Sequence, residues 1–404
     1  MITKKDRTRL RELAKRQMEL SESERNHRLY KDWELHSRTD ACSRPMITVE
    51  FGTFCGEFIN PLLQCESAEA GELEWFLLHS IFPFENFHDD SIIRNYFPYY
   101  DDYYMQPFGL PVKRDESGGL GHHFVPQIHD LTEDFHKLGK SVIHADSNKN
   151  TADIAADIFG DILPVKKTGR ARYVSFLQDI IHIMDMEDMY VAMLEEPELF
   201  HKMCEMLTCD YIELIEKSEN DGKLMATNGD IHLCQGSMCF TDDLPHDGEN
   251  LKTSQIWGYM DAQEAEGISP ALFHDLIFPH YKRISERFGL LSFGCCEGVD
   301  KFWDDISAFD NLRKLSVSAW CNEEYIGEQL QGRKVVYHRK PSPNHIGVER
   351  HLDEDALRAS IRKTVQNASG LTLEFSQRDV YTVHCDVKKV SRYVEIIREE
   401  CEKK

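Results

Sequence analysis

Short β-branched runs that alternate with amphipathic helical patterns predict an α/β chain built as a (β/α)₈ barrel behind a helical N-terminal extension. Three observations carry this: four strand-helix units in the last third, four further strand candidates upstream, and a charged, helix-prone stretch before Thr39. The 404 residues are 41% apolar and 10% aromatic, a globular composition with enough chain for one large core.

The N-terminal stretch sets the first boundary, with a helical cap over 1–40 and a barrel over 41–404. Strands are expected at Met46 to Phe51, Ser141 to His144, Arg172 to Phe176 and Lys223 to Ala226, and helices around Leu73 to Ile81 and Pro197 to Lys217. Ser269-Pro270 opens a helix with an N-cap and a first-turn proline, Pro279 should kink it, and Gly289 closes it. Strands follow at Leu290 to Phe293, Leu315 to Val317, Lys334 to Tyr337 and Leu371 to Phe375. Helices separate them at Val299 to Phe309, Asn322 to Leu330 and Leu352 to Ala368, and Val387 to Glu400 comes last. Crossovers of this length make neighbouring strands parallel.

Lys plus Arg at 47 against Asp plus Glu at 70 gives a net charge of −23. So acidic a surface repels phosphate backbones and anionic lipid, so neither nucleic acid nor membrane is an expected partner. No stretch reaches the roughly 18 apolar residues of a membrane span, and no signal peptide is legible. The expected location is cytoplasmic, where the twelve cysteines stay reduced.

In a parallel barrel the strand-to-helix loops converge at the carboxyl ends of the strands. The late loops carry Cys295-Cys296-Glu297, Trp320, His338-Arg339 and Arg378, then His384-Cys385. Thiols and imidazole are zinc-ligand types, which makes Cys295, Cys296, His384 and Cys385 metal candidates. The same residues also fit one buried and one exposed thiol with no metal. Glu297 and His384 are the acid/base candidates, and Trp320, His338, Arg339 and Arg378 the substrate-binding ones.

Other signals weigh less. Asp134-Phe-His136 matches a cobalt-binding DxHxxG pattern but lacks its preceding strand. The run Met184, Met186, Met189, Met193, Met203 and Met206 has helical spacing and reads as core. His122-His123 and His88-Asp89-Asp90 read as hydrogen-bonded loops, and Asp146-Ser-Asn148 lacks the glycine of a calcium loop.

The segments GISPALFHDLIFPHYKRISERFG, LLSFGCCEGVDKFWDDI, NLRKLSVSAW and VVYHRKPSPN resemble the uroporphyrinogen decarboxylase superfamily, in particular its branch with a Gly-Cys-Cys-Glu signature. The likeness runs from about Arg44 to Glu399. It implies the (β/α)₈ fold and a choice among decarboxylases and zinc- or corrinoid-dependent methyltransferases. The arginine-rich RQAGRY segment of true tetrapyrrole decarboxylases is replaced here by SRPMITVEFGTFCGEF, a poor clamp for a polycarboxylate. The methyltransferase branch has HxCG where this chain has Phe293-Gly294-Cys295-Cys296, so Cys295 matches the first thiol while Phe293 stands in place of the ligand histidine. His384 or Cys385 lies where the late ligand falls. The resemblance thus implies a methyltransferase acting on a small methylated substrate, with zinc, a corrinoid protein as partner, and a homodimer. The alternatives are a decarboxylase of a small acid or of uroporphyrinogen, with Arg339, Lys340 or Arg378 gripping the carboxylate, and a non-catalytic partner of a corrinoid protein.

Overall fold

The computed structural model describes residues 2–39, 43–115 and 123–403. Cys42, His122 and the expected 40/41 boundary lie outside the described residues.

Seven strands form one parallel sheet. They are β1 (Met46–Val49), β2 (Arg172–Val174), β3 (Trp257–Met260), β4 (Leu290–Phe293), β5 (Leu312–Val317), β6 (Val336–Arg339) and β7 (Leu373–Gln377). The spatial order is β1-β7-β6-β5-β4-β3-β2, with every pairing parallel. The four late strands stand where the β-branched runs place them, and the helices Glu323–Gln329, Glu354–Asn367 and Val387–Glu402 separate or follow them. The helix from Pro270 is broken by a wide π turn over Phe273–Ile277 just before Pro279, which has no N–H to give to that turn.

The expected closed cylinder of eight strands is not formed by hydrogen bonding: among the described residues nothing pairs β1 with β2. The chain at Asp89 and Asp90 takes the place beside β1 instead. Ile47 N donates to Asp90 Oδ2 at 2.8 Å and Val49 N to Asp89 Oδ2 at 2.9 Å, while Asp90 N donates to the Ile47 carbonyl at 2.7 Å. Carboxylates thus satisfy an edge that would otherwise recruit a strand. Arg44 and Arg398 neutralise Asp90. Two upstream expectations change. Val142–Ser147 is a strand, but antiparallel to Asp101–Gln106 outside the main sheet, and the Lys223 to Ala226 stretch makes only a single bridge, Met225 to Glu249.

The sheet wraps around a hairpin, His232–Cys234 with Ser237–Met238. The hairpin meets side chains from five strands. Ser237 Oγ accepts from Lys314 Nζ at 2.7 Å, Cys234 Sγ lies 3.4 Å from Ser292 Oγ, and Gln235 Nε2 donates to Tyr259 Oη. A Cβ on Gly236 would lie 2.8 Å from Thr48 Oγ1 and 2.9 Å from Ser376 Oγ. Only glycine fits so close, and φ is +90° there.

Below the hairpin, Lys314 and Glu374 form a buried pair at 2.9 Å, and Lys314 spends its other donors on Ser237 and the Met238 carbonyl. Helix α1 (Lys4–Ser21) packs on Ala68–Asn86, and α2 (Glu24–Ser37) closes the bottom. Trp33 Nε1 donates to the Asp90 carbonyl at 2.9 Å, and His36 Nε2 meets the Leu373 carbonyl at 3.1 Å. No helix of the described residues is long and apolar enough to cross a membrane.

Burial works against the Glu374 charge, but the charge of Lys314, those His338 and His36 carry once protonated, and the Lys314 hydrogen bond outweigh it and hold the carboxyl down to about 2. Burial pushes His36 and His338 down to about 4 and about 3, so both are neutral. All three native values lie below the ordinary ones, so stability is full above about pH 6.5 and falls as the pH drops. The histidines act first and Glu374 follows from about 4.5 toward 2. Lys314→Met should cost about 3–5 kcal/mol in urea unfolding at pH 7, because it strands a buried carboxylate, and should flatten the acid dependence below pH 4.5.

Candidate active site

Gly294 ends β4 with φ at +97°, and a Cβ there would stand 3.0 Å from Ser316 and Val299. This left-handed turn throws Cys295 and Cys296 together over the carboxyl end of the sheet. Their sulfurs are 3.6 Å apart. Cys295 Sγ accepts from Gln235 Nε2 at 2.7 Å and from Arg378 Nη1 at 2.9 Å, while Cys296 Sγ lies 3.0 Å from Asp379 Oδ2, an alternative acceptor to Cys295 for its single proton.

Lys340 is buried with its Nζ 3.4 Å from the carbonyls of Gly294 and Cys295, and no carboxylate pairs with it among the described residues. Its charge acts on the nearby Cys295 thiol. The Cys296 thiol as donor, then the Lys340 and Arg378 cations, overcome burial and pull Cys295 down to about 6. Cys296 is pushed up, because it holds the proton the pair shares and is buried.

Glu297 is a clamp. Its Oε2 accepts from Cys295 N at 2.7 Å and its Oε1 from Ala262 N at 2.9 Å, tying the loop after β4 to the loop after β3. With both oxygens on backbone N–H groups, it positions the thiol pair and is not placed as a free acid. The loop after β3 brings two carboxyls that sequence reasoning missed. Asp261 accepts from Tyr259 Oη at 2.9 Å and Tyr173 Oη at 3.1 Å, and burial with nearby Glu297 and Cys295 raises it well above the carboxylate range. Glu264 is buried, its Oε2 has no hydrogen-bond partner, and burial first, then Glu297 and Cys295, lift it to about 7. Glu264, Cys296, Glu297, Met186 and Trp320 line a cleft of about 340 Å³, with Trp320 72% exposed at its rim.

The other expected residues fall elsewhere. His338 lies in the bore with Nε2 2.8 Å from Ser376 Oγ. Arg339 is buried against Glu323 at 2.9 Å and the carbonyls of Val317 and Ser318, away from the clefts. Arg378 is at the site, but as partner of Cys295 and Asp379. His384 Nε2 meets the Val348 carbonyl at 3.2 Å, and exposed Cys385 gives its N–H to Glu57. Cys295 and Cys296 are therefore not joined by His384 and Cys385. Among the described residues no three His, Cys, Asp or Glu side chains are grouped to hold a metal ion, and Arg378 and Gln235 take up the approach to Cys295. These residues do not fit zinc.

No protein-family model matches the chain, and no curated protein matches it. Among solved structures it is similar to a methyltransferase from Methanosarcina mazei, at 12% identity and a TM-score of 0.41, over 69% of this chain and 72% of that one. Likeness at this level decides neither fold nor chemistry. What fold and site define is an α/β protein with an acidic thiol pair at the carboxyl end of a parallel sheet.

Alkylation of Cys295 by iodoacetamide, followed by peptide mass spectrometry, should titrate well below the ordinary thiol value. Cys296→Ala removes the donated S–H, so its midpoint should rise and its rate at pH 6 fall by about tenfold.

Proposed function

We propose that the chain is a methyltransferase in which the Cys295 thiolate takes a methyl group from a small cationic donor. The observation that supports this is the Cys295 sulfur at 2.9 Å from Arg378 and 3.6 Å from Cys296, which lines a cleft together with the carboxyls Glu264, Glu266 and Glu297. A sulfur lone pair forms the S–CH₃ bond as the bond from carbon to the donor's onium atom breaks. That bond's electron pair returns to nitrogen or sulfur, and the donor leaves neutral without needing a proton. A positive leaving atom makes the methyl transferable to a thiolate without a metal.

The cleft suits such a donor. Glu264, poised at about 7, ionises fully when a cation enters, and the exposed Trp320 offers a ring face. Glu297 holds the backbone of Cys295, and Gln235 and Arg378 hold its sulfur for approach past Cys296. The onward acceptor proposed is a corrinoid carried by a partner protein, as the Gly-Cys-Cys-Glu resemblance implies. Decarboxylation needs a cation free for the substrate carboxylate. Arg339 and Arg378 are already paired, Lys340 is buried against carbonyls, and none of the three lines the cleft.

Incubation with a panel of onium donors (trimethylsulfonium, tetramethylammonium, glycine betaine), read by peptide mass spectrometry, should add one methyl to Cys295. Glu264→Gln should slow this by about tenfold or more, the cost of losing a charge facing a desolvated cation. Methylation absent with every donor, or carbon dioxide release from a small acid that survives Cys295→Ser, would contradict it.

A further inference from the structure

Methyl transfer needs one sulfur, and the loop after β4 holds two. The Cys295 and Cys296 sulfurs are 3.6 Å apart, and closing to the ~2.05 Å of an S–S bond takes about 1.5 Å of movement. Both residues lie in bends between β4 and the turn at Val299–Phe302, so that movement breaks no helix and no strand ladder.

The two thiols differ in charge. The Cys296 donor, then the Lys340 and Arg378 cations, overcome burial and hold Cys295 down to about 6, which makes it the nucleophile at neutral pH. Cys296 keeps its proton and stands half-buried on the cleft of about 340 Å³. Each sulfur has a charged neighbour placed to serve a second reaction. Arg378 Nη1, at 2.9 Å from Cys295 Sγ, can stabilise an oxygen anion that departs there. Asp379 Oδ2, at 3.0 Å from Cys296 Sγ, can take the Cys296 proton. Asp379 is fixed in place by a left-handed backbone, φ +58°, and by its Oδ1 pairing with Arg378 at 2.9 Å.

We infer that Cys295 and Cys296 are a redox site that closes to a vicinal disulfide with a hydroperoxide and reopens with a dithiol. The Cys295 thiolate attacks one peroxide oxygen, so the S–O bond forms as the O–O bond breaks. The other oxygen leaves beside Arg378 as hydroxide or alkoxide and takes a proton from solvent. Cys296 then passes its proton to Asp379 and attacks the Cys295 sulfenic sulfur. The S–S bond forms, the S–O bond breaks, and the departing hydroxide collects that proton to become water. The peroxide gains two electrons and the two thiols lose them. Adjacent residues hold their Cα atoms about 3.8 Å apart, inside the usual disulfide span of about 4.4–6.8 Å, so the bond is strained and readily reduced. A labile bond of this kind acts as a switch. With it closed no thiolate remains to take a methyl group, a consequence that, unlike the bond itself, rests on the methyl-transfer reading.

The test treats the full chain at pH 7 with equimolar hydrogen peroxide, blocks the remaining thiols with iodoacetamide and reads the peptides by mass spectrometry. The peptide holding Cys295 and Cys296 should lose two hydrogens and escape alkylation, with two thiols lost per peroxide consumed, and dithiothreitol should restore both. The rate should rise with pH to a plateau, with its midpoint well below the ordinary thiol value. In Cys296→Ser the bond cannot form, and dimedone should label Cys295 as a sulfenic acid. Sulfenic or sulfinic acid persisting on Cys295 of the unaltered chain would overturn the inference. So would a bond from Cys295 to another cysteine such as Cys321, both thiols still open to alkylation after peroxide, or an unlabelled Cys295 in Cys296→Ser. No methyl donor is present here, and methylation of Cys295 is read under reducing conditions, so the two can fail independently.

Discussion

The approach of the Gln235-Gly236 tip to the inner face of the sheet is the constraint on which the rest depends. Gly236 passes Thr48 and Ser376 at a distance no side chain tolerates. That passage brings Gln235 to Cys295 and to Tyr259. A parallel sheet ordinarily fills its centre with layers of apolar side chains. Here a hairpin fills it, and the polar bore residues Thr48, Ser292, Lys314, His338 and Ser376 are arranged to meet it or one another. The buried Lys314–Glu374 pair costs desolvation but anchors the hairpin through Ser237 and Met238, so it contributes to register as much as to stability.

From that anchor the electrostatics of the site follow. The Gln235 amide sets its N–H group 2.7 Å from the Cys295 sulfur. Arg378 and Lys340 supply positive charge, and Cys296 supplies a proton. Around this one anion the carboxyls of Asp261 and Glu264 are driven toward their neutral forms by burial and by their negative neighbours. A site that stores one negative charge on sulfur and suppresses two on oxygen is suited to meet a cation and then to respond to it.

Much of the sheet was legible in the sequence for a simple reason. Leu290–Phe293, Leu312–Val317, Val336–Arg339 and Leu373–Gln377 each contain or adjoin a short apolar or β-branched run and stand between helices with clear caps, such as Asn322 and Asp353. Trp257–Met260 was missed because Gly258 interrupts it. That glycine is required by the ring of Phe288, which a Cβ would meet at 2.3 Å, and such a contact has no local sign. Two expected strands, Ser141 to His144 and Lys223 to Ala226, stand outside the main sheet, and at its β1 edge the carboxylates of Asp89 and Asp90 take hydrogen bonds that a further strand would make. At the site, Cys295, Cys296 and Glu297 were legible as the loop after a strand. Gln235 was not, since it reaches the thiol from a hairpin sixty positions away in sequence. Arg339 was misplaced because alternation along β6 turns it to the outside while His338 faces in.

The most direct measurement is the Cys295 thiolate titration, followed by ultraviolet absorbance, in Gly236→Ala alongside the unaltered chain, each corrected by its Cys295→Ser counterpart. The added methyl cannot fit against Thr48 and Ser376, so the hairpin tip must withdraw and take the Gln235 amide from sulfur. The midpoint should then rise by the loss of that one hydrogen bond, with Cys296, Lys340 and Arg378 still acting on the sulfur, while the helical circular dichroism stays near that of the unaltered chain. An unchanged midpoint in a folded Gly236→Ala protein would contradict the dependence of the thiolate on the hairpin.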